Sequence, residues 1–225
     1  MKAMSTTNPA ETAPAMSAAA APAQVPAAPA DAPTPTNAPQ VQPANKRVRK
    51  GLVMIWTGKG KGKSTAAIGL AVRAAGHKMR VLFLQFIKGQ WKTGERQALP
   101  LLAPYVEHRV MGRGFTIERL RNKNVPLDEH QAAARAAFDF ASEAVQSGRY
   151  QMVILDEIMA TMHAGLVSVQ EVVDLVRSKP PMLHLVLTGR NAPPELVDLA
   201  DLVSEIQPVK HPLQAGIPAQ RGVEF

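Results

Sequence analysis

The sequence predicts a doubly wound α/β domain, with a mostly parallel sheet of about six strands, behind a disordered N-terminal tail. Three observations lead there. Short, near-continuous apolar runs recur after residue 50, as strands buried on both faces require. Glycine turns and helix-forming segments separate those runs, and strands alternating with helices imply a parallel sheet. Composition also changes abruptly near residue 45: the first 45 residues hold 15 Ala and 9 Pro. Such a stretch has no apolar periodicity and breaks helix at each proline, so residues 1–45 read as a disordered, partly polyproline II tail and residues 46–225 as the folded domain.

The strands are expected at Leu52–Thr57, Arg80–Phe86, Val106–Met111, Met152–Asp156, Leu183–Thr188 and Leu202–Ile206. Helices are expected at Lys63–Ala75, Asp128–Ser147 and Val169–Ser178, with a shorter one near Pro194–Ala200. Asp128 and Ser168 read as N-caps, and Gly76 and Gly148 as helix stops.

Composition narrows the chemistry. The 225 residues contain 26 Lys and Arg, 18 Asp and Glu, and no Cys. Disulfides, thiolate metal sites and cysteine nucleophiles are therefore excluded. Only Lys2, Glu11 and Asp31 of the charged residues fall in the tail, so the excess of base lies in the folded part. That excess calls for an anionic partner: a polyphosphate, an acidic protein surface or a nucleic acid. The basic run KRVRK, Lys46–Lys50, reads as a solvated hinge or a lip over an anionic ligand. No apolar run approaches the ~20 residues of a membrane helix. The N-terminus lacks a leucine-rich core and reads as no secretory signal, and the missing cysteines fit a reducing compartment.

The stretch that carries chemistry is TGKGKGKST, Thr57–Thr65. The common phosphate-loop pattern is G-x-x-x-x-G-K-[ST] between a strand and a helix. Gly62, Lys63 and Ser64 supply its last three letters, but its first glycine appears one place late, as Gly58. Glycines let backbone N–H groups turn inward as an anion nest, and the following helix adds its positive end. Gly58, Lys59, Gly60, Lys61, Gly62, Lys63, Ser64 and Thr65 are thus the expected phosphate-binding residues of a P-loop NTPase-like fold. Lys63 would neutralise phosphate charge, and the Ser64 hydroxyl would hold Mg²⁺.

A partner for that metal lies in VILDE, Val153–Glu157, an apolar strand ending in two carboxylates. Ligands of α/β sheets bind at the carboxyl edge. Asp156 or Glu157 can reach a metal on Ser64 there, directly or through water. A further strand ends in Thr188-Gly189-Arg190 and brings Arg190 to the same edge as a phosphate contact. These features point to a nucleoside triphosphate with its metal. They leave hydrolysis, phosphoryl transfer and attack at the sugar carbon open.

The loop GKGKGKST is similar to the G-N-G-K-G-K-T-T loop of the P-loop-type corrinoid adenosyltransferases, including the displaced glycine. The likeness continues through TAAIGLAVRAAGH (Thr65–His77), QFIKGQWKTGER (Gln85–Arg96), GFT (Gly114–Thr116), VILDEI (Val153–Ile158), LTGR (Leu187–Arg190) and LADLVSEIQPVKHPLQAGIPAQRGVEF (Leu199–Phe225). The resemblance implies that Co(I) of a reduced corrinoid attacks the 5′ carbon of ATP and that the whole triphosphate leaves. ATP would then lie reversed in the loop, which holds a leaving group. Lys63 and Ser64 match the family's phosphate and metal residues, and Glu157 its metal-associated glutamate, so Lys63 and Glu157 are the expected catalytic residues. Phe115 matches an aromatic that sits against the corrinoid and helps to displace its lower axial ligand. Two positions after it this chain has Ile117 where some members have Trp.

The resemblance further implies ATP and corrinoid as substrates, Mg²⁺ or Mn²⁺, a homodimer, and a reduced flavodoxin-like flavoprotein as electron donor. A basic surface suits such an acidic donor. No general base is needed, and His77, His163 and His211 read as structural. Two other readings arise from the residues alone. One is a RecA-like NTPase acting on nucleic acid, although 4% aromatic content leaves few stacking platforms. The other is a nucleotide-sensing module whose Pro-rich tail recruits partners. The family resemblance outweighs both, and with it no nucleic-acid and no membrane partner is expected.

Overall fold

The computed structural model describes residues 49–87, 93–112, 114 and 126–224. The expectations for the tail, for most of KRVRK, and for Phe115 and Ile117 lie outside the described residues, as does the middle of QFIKGQWKTGER. Six strands form one sheet: β1 (Val53–Thr57), β2 (Val81–Gln85), β3 (Val106–Val110), β4 (Met152–Asp156), β5 (His184–Thr188) and β6 (Leu202–Glu205). Their order is β3-β2-β4-β5-β1-β6, and every neighbouring pair is parallel. The fold is therefore the α/β class expected, with a wholly parallel sheet.

The helices are α1 (Lys63–Gly76), α2 (Glu95–Ala98), α3 (Leu127–Gln146), α4 (Ile158–His163), α5 (Val169–Ser178) and α6 (Pro194–Leu199). Single 3₁₀ turns occupy Leu99–Leu102 and Pro212–Ala215. The period-2 alternation of strand side chains sorts the core into two layers. Val53, Ile55, Leu82, Leu84, Val153, Leu155, Leu185 and Leu187 pack with α3, α4, α5 and α6. Met54, Val81, Phe83, Met152, Ile154 and Val186 face the other way, against Ala67, Ala71, Ala74 and Ala75 of α1. That alanine stripe lets α1 lie close to the sheet, which brings its N-terminus up to the strand ends.

Burial on both faces holds for β1, β2, β4 and β5, and fails at the edges. β3 reads VEHRV and is mostly half-buried, and β6 is largely exposed. Edge strands have one flank without a pairing strand, and polar residues there are tolerated. The short helices α2 and α4 escape sequence reading because four and six residues show little helical period and, unlike at the six-residue α6, no proline marks their start.

Helix ends agree in part. Ser168 closes a full capping box with Glu171. Gly148 follows α3 with φ 67, the left-handed step that ends a helix. Asp128 is not an N-cap: Pro126 takes that place, with φ −57 and ψ 153, and starts α3 one residue earlier than expected. A proline has its φ already fixed near the value it adopts there. Asp128 instead lies in the first turn, where its charge favours the positive end of the helix, and it accepts a bond from Glu129 N–H.

The α5 cap gives a pH signature. The Ser168 backbone N–H, then the Ser168 hydroxyl and Arg135, hold the Glu171 carboxyl down to about 2 from its ordinary 4.5. A depressed carboxylate stabilises the fold above its ordinary value, and that contribution is lost as pH falls through the folded value. The stability gap between wild type and Glu171→Gln should thus be full at neutral pH and close between pH 4.5 and about 2. Denaturant titrations across that range check this; a gap independent of pH would show that the cap contributes nothing through charge. Ser168→Ala should cost about 1 kcal/mol at neutral pH.

Candidate active site at the carboxyl edge of the sheet

The loop after β1 runs from Gly58 to Gly62 and is built against the end of β6. Thr57 C=O accepts from Ile206 N–H at 2.9 Å, and Gly60 N–H donates back to Ile206 C=O at 2.7 Å. This clamp explains two of the glycines. A Cβ on Gly58 would lie 2.5 Å from the Ile206 oxygen, and one on Gly60 would lie 2.7 Å from the same atom. Gly58 also has φ 99, a backbone that side chains disfavour. The displaced first glycine thus follows from where the loop leaves β1. Thr57 is still the last strand residue, buried, with its hydroxyl accepting from Ala192 N–H at 3.1 Å.

Gly62 is the N-cap of α1, and no side chain caps that helix. Its first-turn N–H groups are the orphan donors that suit an anion. Lys63 opens the helix and is buried. Its Nζ donates to Gly58 C=O at 2.9 Å and Gly60 C=O at 2.7 Å, so the amine lies over the loop. Burial pulls its pKa below the usual lysine value; Glu157 and Asp156 oppose that pull and Arg190 adds to it. These four charged groups therefore share one electrostatic site, as the motif spacing required. Ser64 is half-buried beside Lys63, while Lys59, Thr65 and Arg190 are exposed. Lys61 is directed elsewhere: its Nζ donates to Val223 C=O at 2.6 Å and pairs with Glu224 at 3.0 Å. The C-terminal segment thus occupies the second lysine of the loop.

The carboxylates differ from each other. Asp156 has no exposed surface. Its Oδ1 accepts from the Thr188 hydroxyl at 2.7 Å and its Oδ2 from the Gln85 amide at 3.1 Å. Glu157 follows with φ 63, a left-handed backbone in a residue with a side chain, and caps α4. Its N–H donates to the Thr188 hydroxyl oxygen at 2.9 Å. Strain of that kind persists only where the surroundings over-determine it, and it clusters at functional sites. The step turns the chain so that Glu157, partly exposed, follows directly on a fully buried Asp156.

Sequence reading missed Gln85 and His108. Gln85 is buried at the end of an otherwise apolar run, and its Oε1 lies 3.0 Å from His108 Nε2. A single amide in RVLFLQF was the signal available. Of the three histidines read as structural, two make ring contacts with backbone close in sequence, and the exposed His77 makes only a backbone one. His77 caps α1 through its backbone, His163 Nδ1 lies 2.5 Å from Met159 C=O, and His211 Nδ1 accepts from Leu213 N–H.

Among the described residues no three His, Cys, Asp or Glu side chains gather into a metal cage. Mg²⁺ on a nucleotide does not require one, because it is held by one or two carboxylates together with substrate phosphates. The candidate donors are oxygen atoms, the Ser64 hydroxyl and the partly exposed Glu157, beside a loop suited to phosphate; Asp156 is fully buried with its oxygens taken by Thr188 and Gln85, and contributes charge. That chemistry fits the ion. Among the described residues no helix is long and apolar enough to cross a membrane.

Residues 49–225 match the family model for ATP:corrinoid adenosyltransferases, BtuR/CobO/CobP. This chain belongs to that family. A corrinoid adenosyltransferase of Sinorhizobium sp is 43% identical over 185 residues, covering 81% of this chain and 84% of the relative. The Escherichia coli K12 corrinoid adenosyltransferase is 37% identical over 183 residues, covering 81% and 89%. The Salmonella typhimurium corrinoid adenosyltransferase CobA is 38% identical, with the same coverage.

Gly60→Ala should force the loop away from Ile206, destabilise the fold by about 1–3 kcal/mol and weaken ATP binding. Thermal unfolding and nucleotide titration test this together. Unchanged values of both would mean that the clamp on β6 is slack.

Proposed function

We propose that this chain transfers the 5′-deoxyadenosyl group of ATP to Co(I) of a reduced corrinoid, with release of triphosphate, in cobalamin biosynthesis or salvage. What carries the reading is the family match over residues 49–225, on a chain whose phosphate loop and carboxylate pair share one sheet edge. The electron pair of Co(I) forms the bond to C5′, the C5′–O5′ bond breaks, and the triphosphate leaves with that bond's electrons. Cobalt is the nucleophile, so no side chain has to remove a proton.

The work of the protein is then positioning and charge. Lys63, the loop N–H groups of Gly58 to Gly62 and the first turn of α1 (Lys63, Ser64, Thr65) hold the triphosphate as it gains charge. Lys59 and Arg190 add positive charge around it, whereas Lys61 is taken up by Val223 and Glu224 of the C-terminal segment. Ser64 and Glu157, with Asp156 next in sequence, would hold an ion, Mg²⁺ or Mn²⁺, which would supply charge neutralisation on the leaving group. By the family resemblance, Phe115 would pack on the corrinoid and help to displace its lower ligand, which would ease reduction of Co(II) to Co(I).

We place the enzyme in the cytoplasm as a homodimer served by a reduced flavodoxin-like flavoprotein. Self-association is supported by apolar side chains left exposed on β6 and the segment after it, Leu202, Val203, Val209 and Leu213. The excess of base outside residues 1–45 supports an acidic donor.

The test is anaerobic. Wild type with chemically reduced corrinoid, ATP and Mg²⁺ should give the spectrum of a light-sensitive cobalt–carbon bond, and Lys63→Ala should abolish both product and ATP binding while still folding. Turnover retained by Lys63→Ala would remove the loop from the mechanism. Phe115→Ala should impair Co(II) substrate more than pre-reduced Co(I). Equal losses with both would reduce Phe115 to packing.

A further inference from the structure

A line of hydrogen bonds crosses four strands at the carboxyl edge. His108 on β3 meets the Gln85 oxygen on β2 at 3.0 Å. The Gln85 amide nitrogen donates to Asp156 Oδ2 on β4 at 3.1 Å. Asp156 Oδ1 accepts from the Thr188 hydroxyl on β5 at 2.7 Å, and Thr188 in turn accepts from Glu157 N–H at 2.9 Å. Gln85, Asp156 and Thr188 have no exposed surface. Strand register makes the line possible. Gln85 pairs with Asp156, and Leu155 with Leu187, which sets Asp156 beside Thr188. Strand alternation puts all three on the α1 face, the face of Phe83, Ile154 and Val186.

The line has a direction. Gln85 offers a donor to the carboxylate only if its amide oxygen points away, towards His108. The reverse orientation would set that oxygen against Asp156. Two neighbours fix the choice: the Glu95 carboxylate accepts from the Gln85 amide nitrogen at 3.5 Å, and His108 faces the amide oxygen with Nε2, its ring held edge-on to Phe83 at 5.9 Å. Burial lowers the His108 pKa below the ordinary histidine value, so at neutral pH the ring carries one N–H. The Gln85 oxygen places it on Nε2. Asp156 held from both sides keeps the Thr188 hydroxyl aimed at it, which leaves the Thr188 oxygen to take the Glu157 N–H. That last bond pins the left-handed step at Glu157.

We propose that Gln85, oriented by His108, is a positioning residue that sets the Asp156–Glu157 pair for the metal–triphosphate site. This rests on the metal reading under Proposed function. Partners that orient a metal's ligands typically change its affinity about 10–100-fold when removed. A residue that merely fills space would not change metal affinity selectively.

The test uses the full chain with ATP and Mn²⁺ and no corrinoid, so that nothing turns over. ATP alone also binds Mn²⁺, so protein-bound Mn²⁺ is counted after rapid gel filtration has removed free ion and free Mn–ATP, and metal-free ATP binding is measured separately. Gln85→Leu should weaken Mn²⁺ in the ATP complex about 10–100-fold while leaving metal-free ATP affinity unchanged. His108→Phe keeps a ring against Phe83 but removes the donor, and should weaken Mn²⁺ in the same direction. His108→Gln, which restores an N–H, should recover it. Mn²⁺ affinity equal to wild type in both Gln85→Leu and His108→Phe would overturn the proposal. Should Gln85→Leu not fold, the comparison of His108→Phe with His108→Gln decides alone. A wild type that binds no Mn²⁺ with ATP would overturn the metal reading itself, and the wild-type titration tells that failure apart.

Discussion

Asp156 is a carboxylate with no exposed surface, at the end of a strand buried on both faces. Burying such a group is costly unless hydrogen bonds replace the water it loses. The replacement comes from Thr188 and Gln85, one on each flanking strand. Much of the architecture serves that arrangement. The strand order β2-β4-β5 supplies both donors, the parallel register brings all three residues to the same edge, and α1 covers their face with alanines. Move any strand by one residue and each side chain changes faces, leaving the carboxylate without partners.

The phosphate loop is fixed from the opposite flank. It leaves β1 and is clamped to Ile206 at the end of β6, while α5, α6 and the strands hold β1 from beneath. Between the two flanks lies Lys63, whose amine rests on the loop's own carbonyls and feels Glu157, Asp156 and Arg190. Burial weakens its hold on the proton, and the carboxylates restore part of it. The site is thus a preformed concentration of donors next to a carboxylate pair, assembled on rigid elements. This is the kind of site that stabilises a leaving polyphosphate electrostatically.

The elements that could be read from sequence were those whose pattern is long or chemically strict. Apolar runs gave the six strands to within a residue or so, and a serine directly before the helical segment gave the α5 cap at Ser168. TGKGKGKST and VILDE marked the two halves of the candidate site, and Lys63 of the first does lie within the electrostatic reach of Asp156 and Glu157 of the second. What escaped was set by tertiary position. Asp128 has the composition of a cap, but a proline two residues earlier starts the helix. Lys61 looks equivalent to Lys63 in the motif, and only the return of the C-terminal segment separates them. Gln85 and His108 are far apart in sequence and acquire meaning from a register that pairs β2 with both β3 and β4. Membership of the corrinoid adenosyltransferase family supplies what geometry by itself leaves open, namely which bond of ATP breaks.

The fate of the phosphates decides that question. A single turnover with reduced corrinoid and ATP, quenched and resolved for phosphate products, reports the broken bond directly. Attack at C5′ predicts intact triphosphate in one-to-one proportion with the adenosylated corrinoid. Orthophosphate or pyrophosphate as the first product, without a cobalt–carbon bond, would contradict the account and make the loop that of an ordinary nucleoside triphosphatase.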